Sequence, residues 1–192
     1  MATWRHCIVS LIDVTGIKKL AAKGNGIASA KMREMHSLVF SAASQGLKAH
    51  AHAYLWNDSA LLLAFVDSDL RQATDVLREV DELKSKIDAI GKCYAVSVKG
   101  KAFPELEPWQ APTIERQLAE QPRAVVIKAS SYAMANCFLI EEGLGKEFKK
   151  PWAVDGRIAK HIQTQQLFSD HEIELLPSGK RRLVRLYHGA LW

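Results

Sequence analysis

The spacing of hydrophobic residues changes from segment to segment along this chain, and the changes outline alternating strands and helices. His6 to Ile12 is a short, nearly continuous apolar run rich in β-branched residues, which predicts a buried strand. It ends at Asp13, with Gly16 close behind, and Gly24 and Gly26 mark a further break. From Ile27 to Ala43, apolar residues such as Met32, Met35, Val39 and Ala42 recur at helical spacing until Gln45-Gly46 stops them. His50 to Leu55 and Ser59 to Val66 then read as the two strands of a hairpin joined through Trp56-Asn57-Asp58. Asp69 to Ile90 gives the clearest amphipathic helix, with Leu70, Ala73, Val76, Leu77, Val80, Leu83 and Ile87 in one stripe. Ser68 or Asp69 is placed to cap its start and Gly91 to end it. Tyr94 to Val98 is a further strand, closed by Lys99-Gly100.

The second half is less regular. Phe103 to Pro122 is rich in proline and polar residues and reads as a surface excursion. Arg123 to Ile127 is another buried strand, followed by a helix from about Ser131 to Glu142 and a second from about Gly156 to Phe168. A closing hairpin runs through Glu172 to Leu176 and Leu183 to His188, turning at Pro177-Ser178-Gly179-Lys180. The order β-α-β-β-α-β, then β-α and smaller pieces, predicts an α+β sandwich with a ferredoxin-like heart. The expected organisation is a main body over residues 1–155, with residues 156–192 supplying a helix and hairpin packed on it.

Composition narrows the classes of function. With 192 residues the chain can bury a core without disulfides, and Cys7, Cys93 and Cys137 each sit in an apolar run and read as buried thiols. Met1 to His6 lacks the apolar stretch of a signal peptide, and no later segment has the ~18 uninterrupted apolar residues of a membrane span. The expectation is a cytoplasmic protein with no membrane partner. The net charge of +5 is spread along the chain, which suits a polyanionic small molecule and does not demand nucleic acid. Lys180-Arg181-Arg182 is the one dense basic run and reads as a solvated hairpin tip or a polyanion contact.

Asp13 ends a predicted buried strand and precedes Val14-Thr15-Gly16, so its carboxylate leaves a rigid edge just before a turn that needs glycine. A helix starting just beyond Thr15 would offer free backbone amides to an anion, with Lys18 and Lys19 in reach. Asp58 sits at the hairpin tip, and the β-α-β-β order can bring it beside Asp13. Two aspartates facing a phosphate cradle are the arrangement that holds divalent cations on a triphosphate. Each has an ordinary reading too, since Asp before Gly is common in turns and Asn57-Asp58 is standard hairpin chemistry. His50 and His52 alternate on a predicted strand without a third metal ligand, and Ser130-Ser131 lacks the setting of a nucleophile.

Ile8 to Ile17 (Ile-Val-Ser-Leu-Ile-Asp-Val-Thr-Gly-Ile) resembles the opening metal motif of class III nucleotidyl cyclases, an apolar strand followed by Asp-x-x-Gly-Phe. Trp56-Asn57-Asp58-Ser59 with Phe65 resembles their second metal motif. Val96 to Gly100 falls where the family has a strand ending in glycine, and Ala135-Asn136 to Glu142 is similar to its asparagine-bearing helix. The match covers roughly Trp4 to Asp155. Ser131 to Glu142 and Pro151 to Asp155 are most similar in character to the stand-alone pyrimidine cyclases of Pycsar antiphage defence.

That resemblance implies cyclisation of UTP or CTP to the 3′,5′-cyclic monophosphate and pyrophosphate. It implies two Mg²⁺ or Mn²⁺ ions per site, on Asp13, the Val14 carbonyl and Asp58, with Val14, Thr15, Gly16 and Ile17 around the β- and γ-phosphates. It implies a homodimer with composite active sites, in which Asn136 reaches the partner's nucleotide. Tyr54, four residues before Asp58, stands where purine cyclases carry a base-reading Lys or Glu. The family's transition-state arginine, four residues after the asparagine, is Ile140 here, and Lys99, Lys101, Lys128 and Arg123 are the cations that could replace it. A cyclase-fold binding or dimerisation module without turnover is the alternative reading.

Overall fold

β1 (Arg5–Val14) is the spine of the molecule, because strands pair with it on both sides along nearly its whole length. The computed structural model describes residues 4–45, 47–50, 52–102, 132–144, 152–162, 168–175 and 179–187. After β1 come α1 (Ile17–Lys23), α2 (Asn25–Ser44), β2 (His52–Trp56), β3 (Ser59–Phe65), α3 (Ala73–Asp88) and β4 (Cys93–Ala102). The later elements are α4 (Tyr132–Leu144), β5 (Trp152–Asp155), α5 (Gly156–Ala159), β6 (Phe168–Leu175) and β7 (Lys180–Tyr187). The strands form one seven-stranded sheet in the order β2-β3-β1-β4-β5-β7-β6. Each neighbouring pair among its first four strands is antiparallel, as the ferredoxin-like order requires, and β5 joins β4 in parallel.

Alternation along β1 sorts the core into two layers. Ile8, Ile12 and Val14 face α2 and α3 and pack with Met35, Val39, Val76, Leu77, Val80 and Ile87. Cys7, Val9 and Leu11 face the other way and pack with Ala133, Met134, Cys137 and Ile140 of α4. Ser10 is buried yet satisfied: its hydroxyl lies 2.7 Å from that of Ser97, directly opposite on β4, and Trp152 Nε1–H donates to Ser97 at 3.0 Å. This buried polar set ties β1, β4 and β5 together. Asp155, 2 % exposed, binds Arg157, whose guanidinium also donates to the Lys99 carbonyl at 2.8 Å.

Several elements differ from the sequence pattern. α3 begins at Ala73 rather than Asp69, because Leu70 takes a left-handed conformation (φ 59°) that lets it bury its side chain in the core. Asp69 pairs with Arg71 instead of capping the helix, and Gln72 closes the preceding turn through Asp67. Gly100 does not end β4, which continues to Ala102. Trp152 to Asp155 forms a strand too short to announce itself by alternation. Of the helix expected over Gly156 to Phe168, Gly156–Ala159 is the helical part among the described residues, and Phe168 already belongs to β6. Lys180 and its two neighbours lie in β7, with Lys180 opposite Leu175, so they are strand residues and not a hairpin tip. The β6–β7 hairpin extends the sheet beside β5, held in part by the Arg185–Asp170 ion pair at 2.8 Å. The excursion Phe103 to Pro122 and the strand Arg123 to Ile127 lie outside the described residues.

Cys7, Cys93 and Cys137 are buried thiols outside any disulfide, and burial raises Cys93 to about 12. Among the described residues no helix is long and apolar enough to cross a membrane. Gly100 has a steric reason: a Cβ there would stand 2.4 Å from the Cβ of Ala133, so two small residues let α4 lie directly on β4. Gly100→Ala should therefore destabilise the protein by about 1–3 kcal/mol in chemical denaturation, since neither backbone can withdraw without opening the core. A variant as stable as the parent would show that α4 does not rest on β4 at this point.

Candidate functional site

The C-terminal end of β1 is where polar side chains gather. The register places Asp13 opposite Ser59 on β3 and opposite Tyr94 on β4, and directly opposed residues share a face. By the alternation of β1, that is the face α4 covers. Ser59 O–H donates to Asp13 Oδ1 at 2.5 Å. Tyr94 O–H donates to Glu141 Oε1 of α4 at 2.5 Å, and the same hydroxyl is hydrogen-bonded to Asp13.

Asp58 arrives from the β2–β3 turn. Asn57 takes a positive φ of 51°, which asparagine tolerates, and so completes a two-residue hairpin turn. The turn is fastened twice: Val14 N–H donates to the Asp58 carbonyl at 2.9 Å, and His36 Nε2–H of α2 donates to the Asn57 carbonyl at 2.7 Å. On the other side, Thr15 donates to the Lys92 carbonyl with both its amide and its hydroxyl, each at 2.8 Å. Gly16 (φ 84°) then turns the chain into α1. The result is a cleft of about 460 Å³ lined by Asp13, Asp58 and Glu141, by Lys18 and Lys19, and by Leu11, Tyr94 and Phe138 among others.

Charge in this cleft is unbalanced. Burial pushes Asp13 up from 3.8 to about 6; the Ser59 and Tyr94 hydrogen bonds oppose the rise, and the nearby charges of Asp58 and Glu141 add to it. Tyr94 is raised as well, by burial and by its bond to Glu141. A carboxylate crowded by other carboxylates is relieved by a cation. Hard carboxylate oxygens on two neighbouring elements suit Mg²⁺ or Mn²⁺, so the donor set fits the metals implied by the sequence. Among the described residues no three His, Cys, Asp or Glu side chains are gathered as a metal cluster. Two carboxylates and a backbone carbonyl leave positions for phosphate oxygens and water, the way Mg²⁺ is usually held on nucleotides.

The other sequence candidates fall in different places. Val14, Thr15, Gly16 and Ile17 all line the cleft, but the amides of Val14 and Thr15 are already bonded and are not open to an anion. Lys18 and Lys19, noted only as neighbours, line it directly. Tyr54 packs on the α4 side of the sheet, opposite Leu61, and does not line this cleft. Asn136 lies about 200° around α4 from Phe138 and about 140° from Glu141, so it is turned from the cleft those two line. Lys99 sits opposite Ile8, five residues and roughly 17 Å along β1 from Asp13, and donates to the Ser68 carbonyl at 3.2 Å. Lys101 is farther along the same strand, and Lys128 and Arg123 lie outside the described residues.

Ile140 is fully buried against the sheet, so the helix position that the resemblance gives to an arginine faces apolar core. His50 lies before β2, and its buried ring is bonded to Glu79 of α3 at 2.8 Å, so His50 and His52 do not alternate on one strand. Tyr94, Glu141 and His36 are the contributors that sequence reading missed. Only Tyr94 left a signal, as a polar residue sharing a face with Val96 and Val98 next to a strand that ends in aspartate.

No protein-family model matches the chain, and no curated protein matches it. Solved structures do. A bacterial light-regulated adenylyl cyclase superposes with a TM-score of 0.66 at 12 % identity, over 99 % of this chain and 54 % of that one. The guanylyl cyclase Cya2 gives 0.63 at 7 % identity, over 98 % and 94 % of the two chains. The adenylyl cyclase CyaB from P. aeruginosa gives 0.58 at 6 % identity, over 98 % and 97 %. The chain therefore has the fold of class III cyclase catalytic domains.

The charge imbalance has a thermodynamic consequence. A carboxyl whose folded pKa is raised holds its proton longer folded than unfolded, so stability falls as pH rises from about 4 to about 6 and stays reduced above. In metal-free buffer near pH 8, Asp13→Asn should be more stable than the parent by roughly 1–2 kcal/mol, after allowance for partial solvent screening. The gain should vanish below about pH 4. Thermal melts across that range check it, and a variant that melts lower at pH 8 would show that Asp13 is not under electrostatic pressure.

Proposed function

We propose that this chain is a metal-dependent nucleotidyl cyclase that converts UTP to 3′,5′-cyclic UMP and pyrophosphate. The observation that carries this reading is the convergence of Asp13 and Asp58 in one cleft with Lys18 and Lys19, within a cyclase fold. Asp13, Asp58 and the Val14 carbonyl would hold two Mg²⁺ or Mn²⁺ ions. When bound, the cations supply charge neutralisation on the triphosphate and acidify the ribose 3′-hydroxyl. Gly16 and Ile17 let the phosphates approach the backbone, and the Lys18 and Lys19 ammonium groups face their charge. Ser59 holds one oxygen of Asp13 and so orients the carboxylate.

The working unit in this reading is a homodimer with two composite sites. Asn136, turned from the cleft of its own chain, would reach the nucleotide bound by the partner. Tyr54 would likewise serve the base across the boundary, where its hydroxyl can donate to or accept from a pyrimidine edge and its ring narrows the pocket against purines. CTP is the alternative substrate, since a hydroxyl suits either pyrimidine. The product would act as a second messenger in antiphage defence, as the likeness of Ser131 to Glu142 and Pro151 to Asp155 to Pycsar cyclases suggests. A silent nucleotide-binding module is favoured by one observation, the buried Ile140 where the resemblance expects a transition-state arginine.

Incubation of the pure protein with each of the four NTPs and Mn²⁺, with products resolved by mass, decides between these readings. The expected product is cyclic UMP with pyrophosphate. Nucleotide binding without pyrophosphate release would leave the silent module. Asp13→Asn and Asp58→Asn should each abolish turnover, and retained turnover in either at saturating Mn²⁺ would sink the two-metal reading. Mixing Asp58→Asn chains with Asn136→Ala chains should restore activity, because each heterodimer keeps one intact composite site. Tyr54→Ala should lose pyrimidine turnover and relax toward purines, with about 1–3 kcal/mol of discrimination lost. Unchanged base preference in that variant would remove Tyr54 from the base pocket.

A further inference from the structure

We infer that Phe138 is a substrate-binding residue of its own chain's cleft, with its ring stacked on the base of the nucleotide. The inference rests on the reading of this cleft as a nucleoside triphosphate site, and adds which end of the cleft takes the nucleoside. The cleft crosses the end of the sheet from one layer to the other. On one side stands α1, whose Ile17 packs with the core residues of α2 and α3 and whose Lys18 and Lys19 line the cleft. On the other stands α4, which packs on the opposite face and lines the cleft with Phe138 and Glu141. Asp13 and Asp58 belong to the sheet that separates the two layers. A nucleoside triphosphate has the same order of parts: an anionic tail, phosphates that carry the metal, and an apolar ring at the far end. Laid with its tail at the lysines and its metal at the aspartates, it brings the nucleoside to α4. The cleft volume, about 460 Å³, suits a ligand of that size.

α4 offers a ring at that end. Its Ala133, Met134, Cys137 and Ile140 are buried against the sheet, whereas Phe138 is 45 % exposed. A single exposed apolar side chain is ordinary on a protein surface, so its position is what matters. The other large apolar residues at the cleft, Leu11, Val14 and Ile17, are buried. Among the described residues, Phe138 is therefore the apolar surface that the cleft presents to a ligand. Every base has a π face, so stacking on Phe138 supports pyrimidines and purines alike and leaves base choice to groups at the ring's edge. A contact to the face and a contact to the edge do not compete, so Tyr54 can still serve the base from the partner chain.

The test compares two ligands by calorimetry in Mn²⁺ buffer, with no turnover required. One is α,β-methylene-UTP, which cannot release pyrophosphate, and the other is inorganic tripolyphosphate, which has the anionic tail and no nucleoside. Phe138→Ala should weaken α,β-methylene-UTP about tenfold, the scale of a lost stacking contact, and leave tripolyphosphate unchanged. Phe138→Tyr keeps the ring and should stay within about twofold of the parent on both ligands. Lys18→Met/Lys19→Met should weaken both ligands by the same factor, because both carry the tail. Position 138 is on the helix surface, so these variants are expected to fold, and circular dichroism melts check that they do. An unchanged affinity of Phe138→Ala for α,β-methylene-UTP, or an equal loss on tripolyphosphate, overturns the stacking role. Loss of nucleotide affinity together with dissociation of an oligomer in sedimentation makes Phe138 a subunit contact and also overturns it. Tripolyphosphate that fails to bind the parent, or binds Asp13→Asn as well as the parent, overturns the reading of the cleft itself and this inference with it. The two failures are thereby told apart.

Discussion

The pairing of β1 with β3 on one side and β4 on the other sets the position of almost everything else. Hydrogen bonding on both edges makes β1 a central strand, which requires both of its faces to be covered and gives its residues the near-continuous apolar character seen from Cys7 to Ile12. The same pairing leaves no latitude in register, because a slip by one residue would exchange the two core layers. Asp13 is therefore delivered to one face, at one end, opposite Ser59 and Tyr94. A carboxylate held there is partly desolvated whether or not a cation is present, and its raised pKa is the cost of that placement.

α4 is the second device. It covers the sheet face to which Asp13 points, and three of its positions within two turns do three different things. Ile140 fills the core, Glu141 meets Tyr94 at the cleft, and Asn136 is turned away from it. Helical geometry makes this division unavoidable, because residues four and five apart differ by about 40° and 140°. A cation four residues after Asn136 would have to be buried among Cys137, Ala133 and the strand residues beneath, an environment that penalises an unpaired guanidinium heavily. The absence of arginine at position 140 is thus part of how this helix packs. Among the described residues, Lys18 and Lys19 on α1 bring positive charge to the cleft.

The likeness to adenylyl and guanylyl cyclase structures at 6–12 % identity shows how little of the sequence a fold of this kind consumes. Binary patterning, two small residues where α4 meets β4 and a few turn-forming positions suffice to specify the sheet and its helical layers. The chemistry is borne by far fewer side chains, at one end of one strand and one hairpin turn.

The sequence by itself determined the elements whose signals are local. The apolar run ending at Asp13, the amphipathic stripe of α3 and the Asn57-Asp58 turn were legible because alternation, helical spacing and positive-φ chemistry act within a few residues. Both candidate metal aspartates were legible for the same reason, each standing at the boundary of a strongly patterned segment. What only the tertiary structure decided depends on partners distant in the chain. β5 is four residues long and is a strand only because β4 and β7 flank it. Leu70 leaves the helical pattern because its side chain is better buried through a left-handed turn. The placement of Lys99 far from Asp13 follows from the β1–β4 register, and the meeting of Tyr94 with Glu141 from the way α4 rests on Gly100. Such facts are set by the packing of one layer on another, and no window of neighbouring residues contains them.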